Sequence, residues 1–408
     1  MDRHSRHLDF LDLLRGIAIL AVFCFHGLEP SFGFEHLPWS QGFRSFDVSR
    51  SFWIVLPCCL GWAGVAIFFA VSGFCIHLSF LRQREASWAL FFRRRFFRIY
   101  PLYFLALAFF AWVWPLTPLA GDPAPEGRDW WSHLLLVHNF DWRTLYGINP
   151  AFWSLAVEVQ LYLLYPLWLW IARRWSWGTM LGIAAVIEFG LRAARSDIYT
   201  IYTEVSRMDW TVTSPLAFWF SWGLGAAVAQ AWWHGRPLPL NRTPVWLWLM
   251  SAIAVYFVHP LAAFSFPLFA IATGTVISRF LEDRWRLQIQ KIPAISLLQR
   301  LGVWSYSFYL IHQPIVAGLP LLLQNRLHHP AHPLALFGLG VSSAIVIVPL
   351  AGALYRWVEQ PCNALGHRRF TPASVADLSS PAIDSASQDT SGNWPGRDLH
   401  STKSAPRS

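Results

Sequence analysis

Charged side chains are scarce in this sequence. Asp, Glu, Lys and Arg occupy 13% of the 408 positions, against about a quarter in a typical soluble domain. The deficit runs along most of the chain, which excludes a large soluble domain. The 55% of hydrophobic residues therefore reads as lipid-facing and helix-packing surface. Cysteine is scarce as well. Of five, Cys24, Cys58, Cys59 and Cys75 fall in apolar runs and Cys362 near the end, which excludes an extracellular disulfide framework. No internal repeat of fixed period and no second globular domain is visible. A net charge of +9 would suit nucleic acid, but the basic residues sit in short clusters between apolar runs, where positive charge sets membrane topology. Membrane lipid is the expected surrounding partner, and nucleic acid is not expected.

What the sequence has is long apolar segments. A helix needs about 20 such residues to cross a bilayer, and about ten candidates meet or approach that length: 13–30, 54–80, 99–119, 151–171, 177–194, 212–233, 244–259, 261–279, 302–324 and 334–357. The segment 127–142, which contains "WWSHLLLVHNF", is too short to span and is expected at the interface. The 25 Trp and 11 Tyr suit interfacial belts. The fold class predicted is thus an all-α integral membrane protein. If the N-terminus is cytoplasmic, every even-numbered connection should be basic. "RQREASWALFFRRRFFR", "ARRW", "HGRPLPLNR" and "RFLEDRWRLQIQK" are, as is the flank "GHRR". Both termini are therefore expected inside. A cleaved signal peptide competes for the first span, but "HGLEPSFGF" offers no small-residue cleavage site. After residue 370 the chain becomes rich in Ser, Pro, Asp and Gly, predicting a disordered cytoplasmic tail over 370–408.

The first span, "LLRGIAILAVFCFHG" (13–27), contains Arg15 and His26. Eleven helical residues separate them by roughly 16 Å and set them within about 20° on one face. Ionisable groups at such depth usually face the bundle interior or a water-filled cavity. A neutral imidazole there is available as a base. The plainer alternative is a snorkelling Arg and a His satisfied by a neighbouring helix. Asp12, three residues before Arg15, can pair with it. Glu29, three after His26, could orient the imidazole or simply mark the helix end.

"FFRRRFFRIYPLYF" (91–104) crowds Arg93, Arg94, Arg95 and Arg98 at the start of the third span. Topological charge accounts for most such clusters. Arg95 and Arg98, however, share a helical face, and guanidinium forks suit phosphate. An anionic, nucleotide-like ligand from the cytoplasm follows as a reading.

"LDLLRGIAILAVFCFH", "GVAIFFAVSGFCI", "RRFFRIYPLYF", "FWSLAVEVQLYLLYPL", "LGVWSYSFYLIHQP" and "YRWVEQP" occur in this order. Together they resemble the acyltransferase-3 family of multi-spanning membrane acyltransferases, including OafA-type O-acetylases, over about residues 8–365. No attached SGNH-hydrolase-like domain is expected. The resemblance implies transfer of an acyl group, commonly acetyl, from acyl-CoA to a hydroxyl of a carbohydrate or related acceptor. It maps the family's Arg-x10-His onto Arg15 and His26 and its Arg-x-x-Arg onto Arg95 and Arg98. The family's Trp-Ser-Leu-x-Val-Glu-Glu-Gln-Phe-Tyr falls on Trp153 to Tyr162, where Glu158 keeps the first acid, Val159 replaces the second and Leu161 the Phe. Glu359-Gln360-Pro361 stands where Glu-Arg-Pro or Glu-Lys-Pro is usual.

On this reading the cytoplasmic arginines hold the polyanionic head of CoA, and its uncharged arm reaches toward His26. The histidine then serves as general base or as a transient acyl carrier. Acyl-CoA is a substrate, and no metal or permanently bound cofactor is expected. Glu158, with Tyr162 one turn away, is a second catalytic candidate or a paired structural acid. Trp153 and Ser154 border the expected acceptor site. Ser305, Tyr306, Tyr309 and His312 read mainly as packing and positioning groups, and His138 and Asn139 as packing or outer-mouth residues. A transporter or flippase of a lipid-linked or small polar substrate is the rival, with Glu158, His26 and His312 as a polar path. A bacterial cytoplasmic membrane is the expected location.

Overall fold

A computed structural model describes residues 3–33, 50–83, 87–120, 126–196, 210–236, 239–258, 261–281, 293–327 and 331–367. The chain divides at His367. The segment expected to be disordered, 370–408, lies outside the described residues, as does most of the basic connection 279–291. Among the described residues there are helices and turns and no strand.

The helices used below are α1 (Arg3–His26), α2 (Ala63–Leu81), α3 (Trp88–Ala108), α4 (Gly127–Leu134), α5 (Phe152–Arg174), α6 (Trp177–Ala194), α7 (Trp219–Trp233), α8 (Val245–Tyr256), α9 (Ser265–Leu281), α10 (Pro293–Val303), α11 (Ser305–Arg326), α12 (Pro333–Ser342), α13 (Ala344–Leu354) and α14 (Gln360–His367). Among the described residues, eight helical segments are long and apolar enough to cross a membrane: Asp9–Phe32, Phe52–Leu81, Trp88–Leu116, Phe152–Arg174, Trp177–Ala194, Leu261–Leu281, Ser305–Arg326 and Pro333–His367. They coincide with eight of the ten runs read from the sequence, so the chain is an all-α integral membrane protein.

The other two runs are helical but shorter. Ser214 is extended before Pro215, and a 3-10 turn over Pro215–Phe218 precedes α7, whose regular length is 15 residues. Pro244 is extended too, and α8 has only 12 residues. A residue before proline is driven away from helical geometry and proline itself lacks an N–H, which is why α7 starts late; α8 starts at Val245, directly after Pro244, and ends at Tyr256. The short segment at 127–142 begins as α4, which carries a capping box between Glu126 and Asp129.

Two close helix crossings set the frame. A Cβ on Gly73 of α2 would lie 1.9 Å from the carbonyl oxygen of Trp222, and one on Gly225 of α7 1.8 Å from that of Ala70. Without side chains at these points the two backbones touch, the small-residue packing that lipid-embedded helices favour. The same reciprocity joins α1 to α10: a Cβ on Gly16 would lie 1.8 Å from the Leu298 carbonyl oxygen and one on Gly302 1.7 Å from that of Asp12. Helix α10 was not anticipated as a separate element. It backs the end of α1 that carries Asp12 and Arg15.

A buried ion pair pins the region around α7. Arg192 and Glu188 of α6 meet at 3.2 Å with both side chains fully enclosed. Arg192 also donates to the carbonyls of Ala217 and Ala263, while Ser221 donates to Glu188 through both its N–H and its hydroxyl. Each charge is thereby hydrogen-bonded, the condition for tolerating an interior ion.

Candidate active site

Helices α1, α2, α3, α5 and α11 enclose a cavity of about 100 Å³. Their periodicity explains its walls. Ser154, Glu158 and Tyr162 recur every four residues along one face of α5, and Arg95 and Arg98 lie a turn apart on α3. Asn149, just before α5, donates to the Leu310 carbonyl at 2.9 Å, tying the start of α5 to α11.

One part of the wall is cationic. Among the described lining residues are three guanidiniums, Arg15, Arg95 and Arg98, and one carboxylate, Glu158. Arg15 pairs with Asp12 at 3.1 Å and donates to the Cys75 sulfur at 3.3 Å. Arg95 donates to the Ser79 hydroxyl at 3.2 Å and lies over the rings of Phe91 and Tyr162. Arg98 approaches Glu359 at 3.9 Å. Glu359 sits in a π-helical turn, Tyr355–Glu359, between α13 and α14, and accepts from the Ser307 hydroxyl at 2.7 Å. Such turns often carry functional groups because the extra residue re-aims the helix face.

Glu158 spans the gap between α5 and α2. The hydroxyls of Ser72 and Tyr162 both donate to its Oε1, at 2.6 and 2.5 Å, and the Trp222 indole reaches Ser72 at 3.4 Å. Val159 instead packs against the apolar core. The position where the family pattern carries its second acid is thus a hydrophobic contact here.

The structure brings His26 to His312. Nδ1 of His26 lies 2.8 Å from Nε2 of His312, and Nδ1 of His312 lies 2.8 Å from the carbonyl oxygen of Tyr309. His312 is fully buried, whereas His26 keeps part of its surface accessible. The partner that orients His26 is therefore His312 rather than Glu29, which begins a short separate helix, Glu29–Phe32. His26 is not in the cavity wall. Tyr309 connects the two regions: it lines the cavity, shares a 2.6 Å hydrogen bond with Ser154, and sits 5.3 Å from the His312 ring.

Trp153 points away from this cavity and packs on Phe218 at 5.7 Å. His138 and Asn139 are buried. Asn139 exchanges amide hydrogen bonds with Gln160 and also donates to the Thr213 carbonyl, and the His138 ring stacks on His133 at 3.8 Å. Burial of both imidazoles favours the neutral form, lowering His133 to about 4 and His138 well below its ordinary value. Sequence reasoning did not single out Ser72, Cys75 or Glu359 as site residues. The signals were available in "AVSGFC" and "YRWVEQP", but their pairing depends on which helices touch.

The family profile described as an acyltransferase domain matches residues 8–355. The acyltransferase MdmB of Streptomyces mycarofaciens is 27% identical, over 91% of this chain and 95% of that protein. The peptidoglycan O-acetyltransferase OatA of Listeria monocytogenes is 26% identical over 77% of this chain, which spans half of OatA's length. Nodulation protein 10 of Rhizobium leguminosarum is 25% identical over 89% of this chain and 95% of its own length. No solved structure matches.

Proposed function

The chain belongs to the acyltransferase-3 family and is an integral membrane acyltransferase, and we propose that acyl-CoA is its donor, a carbohydrate or related hydroxyl its acceptor, and His26 its general base. The acyl group in this reading is acetyl. One arrangement carries it: three guanidiniums around a cavity whose Tyr309 wall adjoins the His26–His312 pair. Arginine forks bind phosphate bidentately, and CoA is a phosphate-rich head on a long neutral arm. Arg15 and His26 on one helix are separated by roughly 16 Å, a distance the arm covers when it passes Tyr309.

In the transfer step the acceptor hydroxyl gives its proton to His26 as its oxygen attacks the thioester carbonyl. The C–O ester bond forms, the C–S bond breaks, and the thiolate of CoA leaves and takes the proton back from the imidazolium. Glu158, held by Ser72 and Tyr162, keeps the arginines oriented by its charge. The name of OatA favours a carbohydrate acceptor for this chain as well. The basic residues Arg93, Arg94, Arg173 and Arg174 support a cytoplasmic donor side, with both termini on that side of a bacterial cytoplasmic membrane.

The test is transfer of label from radioactive acetyl-CoA by detergent-purified protein to a panel of glycans. Base-labile label on a glycan, with thiol released, is the expected result. No label and no thiol release, together with substrate flux into vesicles, would overturn the reading in favour of a transporter.

A further inference from the structure

We infer that His312 is a positioning residue that fixes the tautomer of His26, holding its proton on Nδ1 so that Nε2 is the nitrogen that takes the acceptor's proton. The inference rests on His26 being the base and adds which of its atoms acts and why.

The argument runs along a chain of hydrogen bonds with one fixed end. A backbone carbonyl only accepts, so His312 must present an N–H from Nδ1 to the oxygen of Tyr309, 2.8 Å away. A neutral imidazole carries one proton, which leaves Nε2 of His312 as an acceptor. The atom facing it at 2.8 Å is Nδ1 of His26, which must then be the donor. By the same rule Nε2 of His26 carries the lone pair. Reversing the order would set the Nδ1 lone pair of His312 against the carbonyl lone pairs. Protonating both nitrogens of His312 would bury an imidazolium at 0% exposure, with a second imidazole and a carbonyl as its neighbours, an arrangement that is costly without a carboxylate partner. The helix itself supplies the fixed end, because Tyr309 lies one turn before His312 in α11.

The arrangement also divides two tasks. His312 is enclosed, while His26 is partly accessible. As His26 takes up the hydroxyl proton, its Nδ1–H remains donated to a neutral acceptor, so the ring neither turns nor changes tautomer during the step. The general pattern is that a base's second nitrogen sets which of its nitrogens reacts.

Magic-angle-spinning NMR of [15N]histidine-labelled protein, with the His26 signals identified by their loss in His26→Ala, reads the tautomer directly. A protonated Nδ1 and an unprotonated Nε2 are expected, and a proton on Nε2 would overturn the inference whatever the variants do. In parallel, acetyl-CoA turnover is measured with N-acetylglucosamine oligomers as acceptor. His312→Met removes the acceptor atom, and kcat should fall on the order of 10- to 100-fold with the KM for acetyl-CoA unchanged. His312→Gln restores an acceptor oxygen at similar reach and should recover most of that loss, which a packing role alone would not produce. Unchanged kcat in a folded His312→Met would sink the inference while leaving the base reading intact, provided His26→Ala is inactive. Full turnover by His26→Ala would remove the base reading itself.

Discussion

Arg98, midway along α3, and Glu359, in the last turn before α14, meet at 3.9 Å with the carboxylate enclosed and the guanidinium partly exposed. The contact closes the cationic wall of the cavity from the far end of the described chain. It leads to a graded set of expectations for donor binding.

Arg95→Ala and Arg98→Ala should each raise the KM for acetyl-CoA on the order of tenfold or more, the size of a lost charge-assisted hydrogen bond, with a smaller effect on kcat. Lysine should restore only part of the loss, since it lacks the planar fork. Glu359→Gln keeps Ser307's acceptor but releases Arg98. A part-exposed pair is worth no more than about 1 kcal/mol, so the KM should rise at most about fivefold. Steady-state kinetics across an acetyl-CoA titration checks all five variants.

Restoring the family's second acid should not help this protein. Val159 packs against the apolar core, so Val159→Glu is expected to lower the melting temperature and leave turnover no higher than wild type. Glu158→Ala, by contrast, should abolish most activity and leave the Ser72 and Tyr162 hydroxyls without their shared acceptor. Each unsatisfied buried hydroxyl costs about 1–3 kcal/mol. Paired melting and turnover measurements separate the two cases.

The α1–α10 crossing depends on absent side chains. Gly302→Ala would put a methyl group 1.7 Å from the Asp12 carbonyl oxygen, next to Arg15, and should lower both folded yield and melting temperature. Gly190→Ala on α6 meets nothing within 4 Å and should hold or raise the melting temperature, by up to about 1 kcal/mol of helix stability. Equal behaviour of the two variants in detergent melts would contradict the packing described.

Acid should weaken the fold through His133 and His138. Both are held below their ordinary range by burial, with His133 at about 4, while an unfolded histidine titrates near 6.5. A depressed folded value means that protonation favours the unfolded chain. Their contribution is complete above about pH 6.5 and is lost progressively as pH falls from there toward 4. The melting temperature should therefore drop between pH 7 and pH 5. His138→Phe keeps a ring on His133 and removes one titrating group, so its melting temperature should fall less steeply over that window.

The membrane spans were legible because uninterrupted apolar length is a one-dimensional property, and eight of them stand as read. Asp12 with Arg15 was legible for a similar reason, since three residues make neighbours on any helix. The late start of α7 was signalled by Pro215 but masked by the apolar run through it. Helix α10 escaped because "PAISLLQRLGV" is short and mixed in polarity; only its contact with Gly16 gives it a clear role. The hydrogen bond between His26 and His312 was not legible, although the transporter alternative places both on one polar path. Glu29 was near in sequence, whereas His312 becomes a neighbour only when α11 packs beside α1. Glu359 joined Arg98 for the same reason, through a π-helical turn that no spacing rule anticipates.

The central claim is that His26, beside the donor cavity, is the base for acyl transfer. The most direct measurement is label transfer from radioactive acetyl-CoA to glycan by wild type and by His26→Ala, with both shown to be folded by gel filtration and melting. Transfer by wild type and a loss of at least about 100-fold in the variant, with acetyl-CoA binding retained, is the expected result. Equal transfer by the two proteins would contradict it.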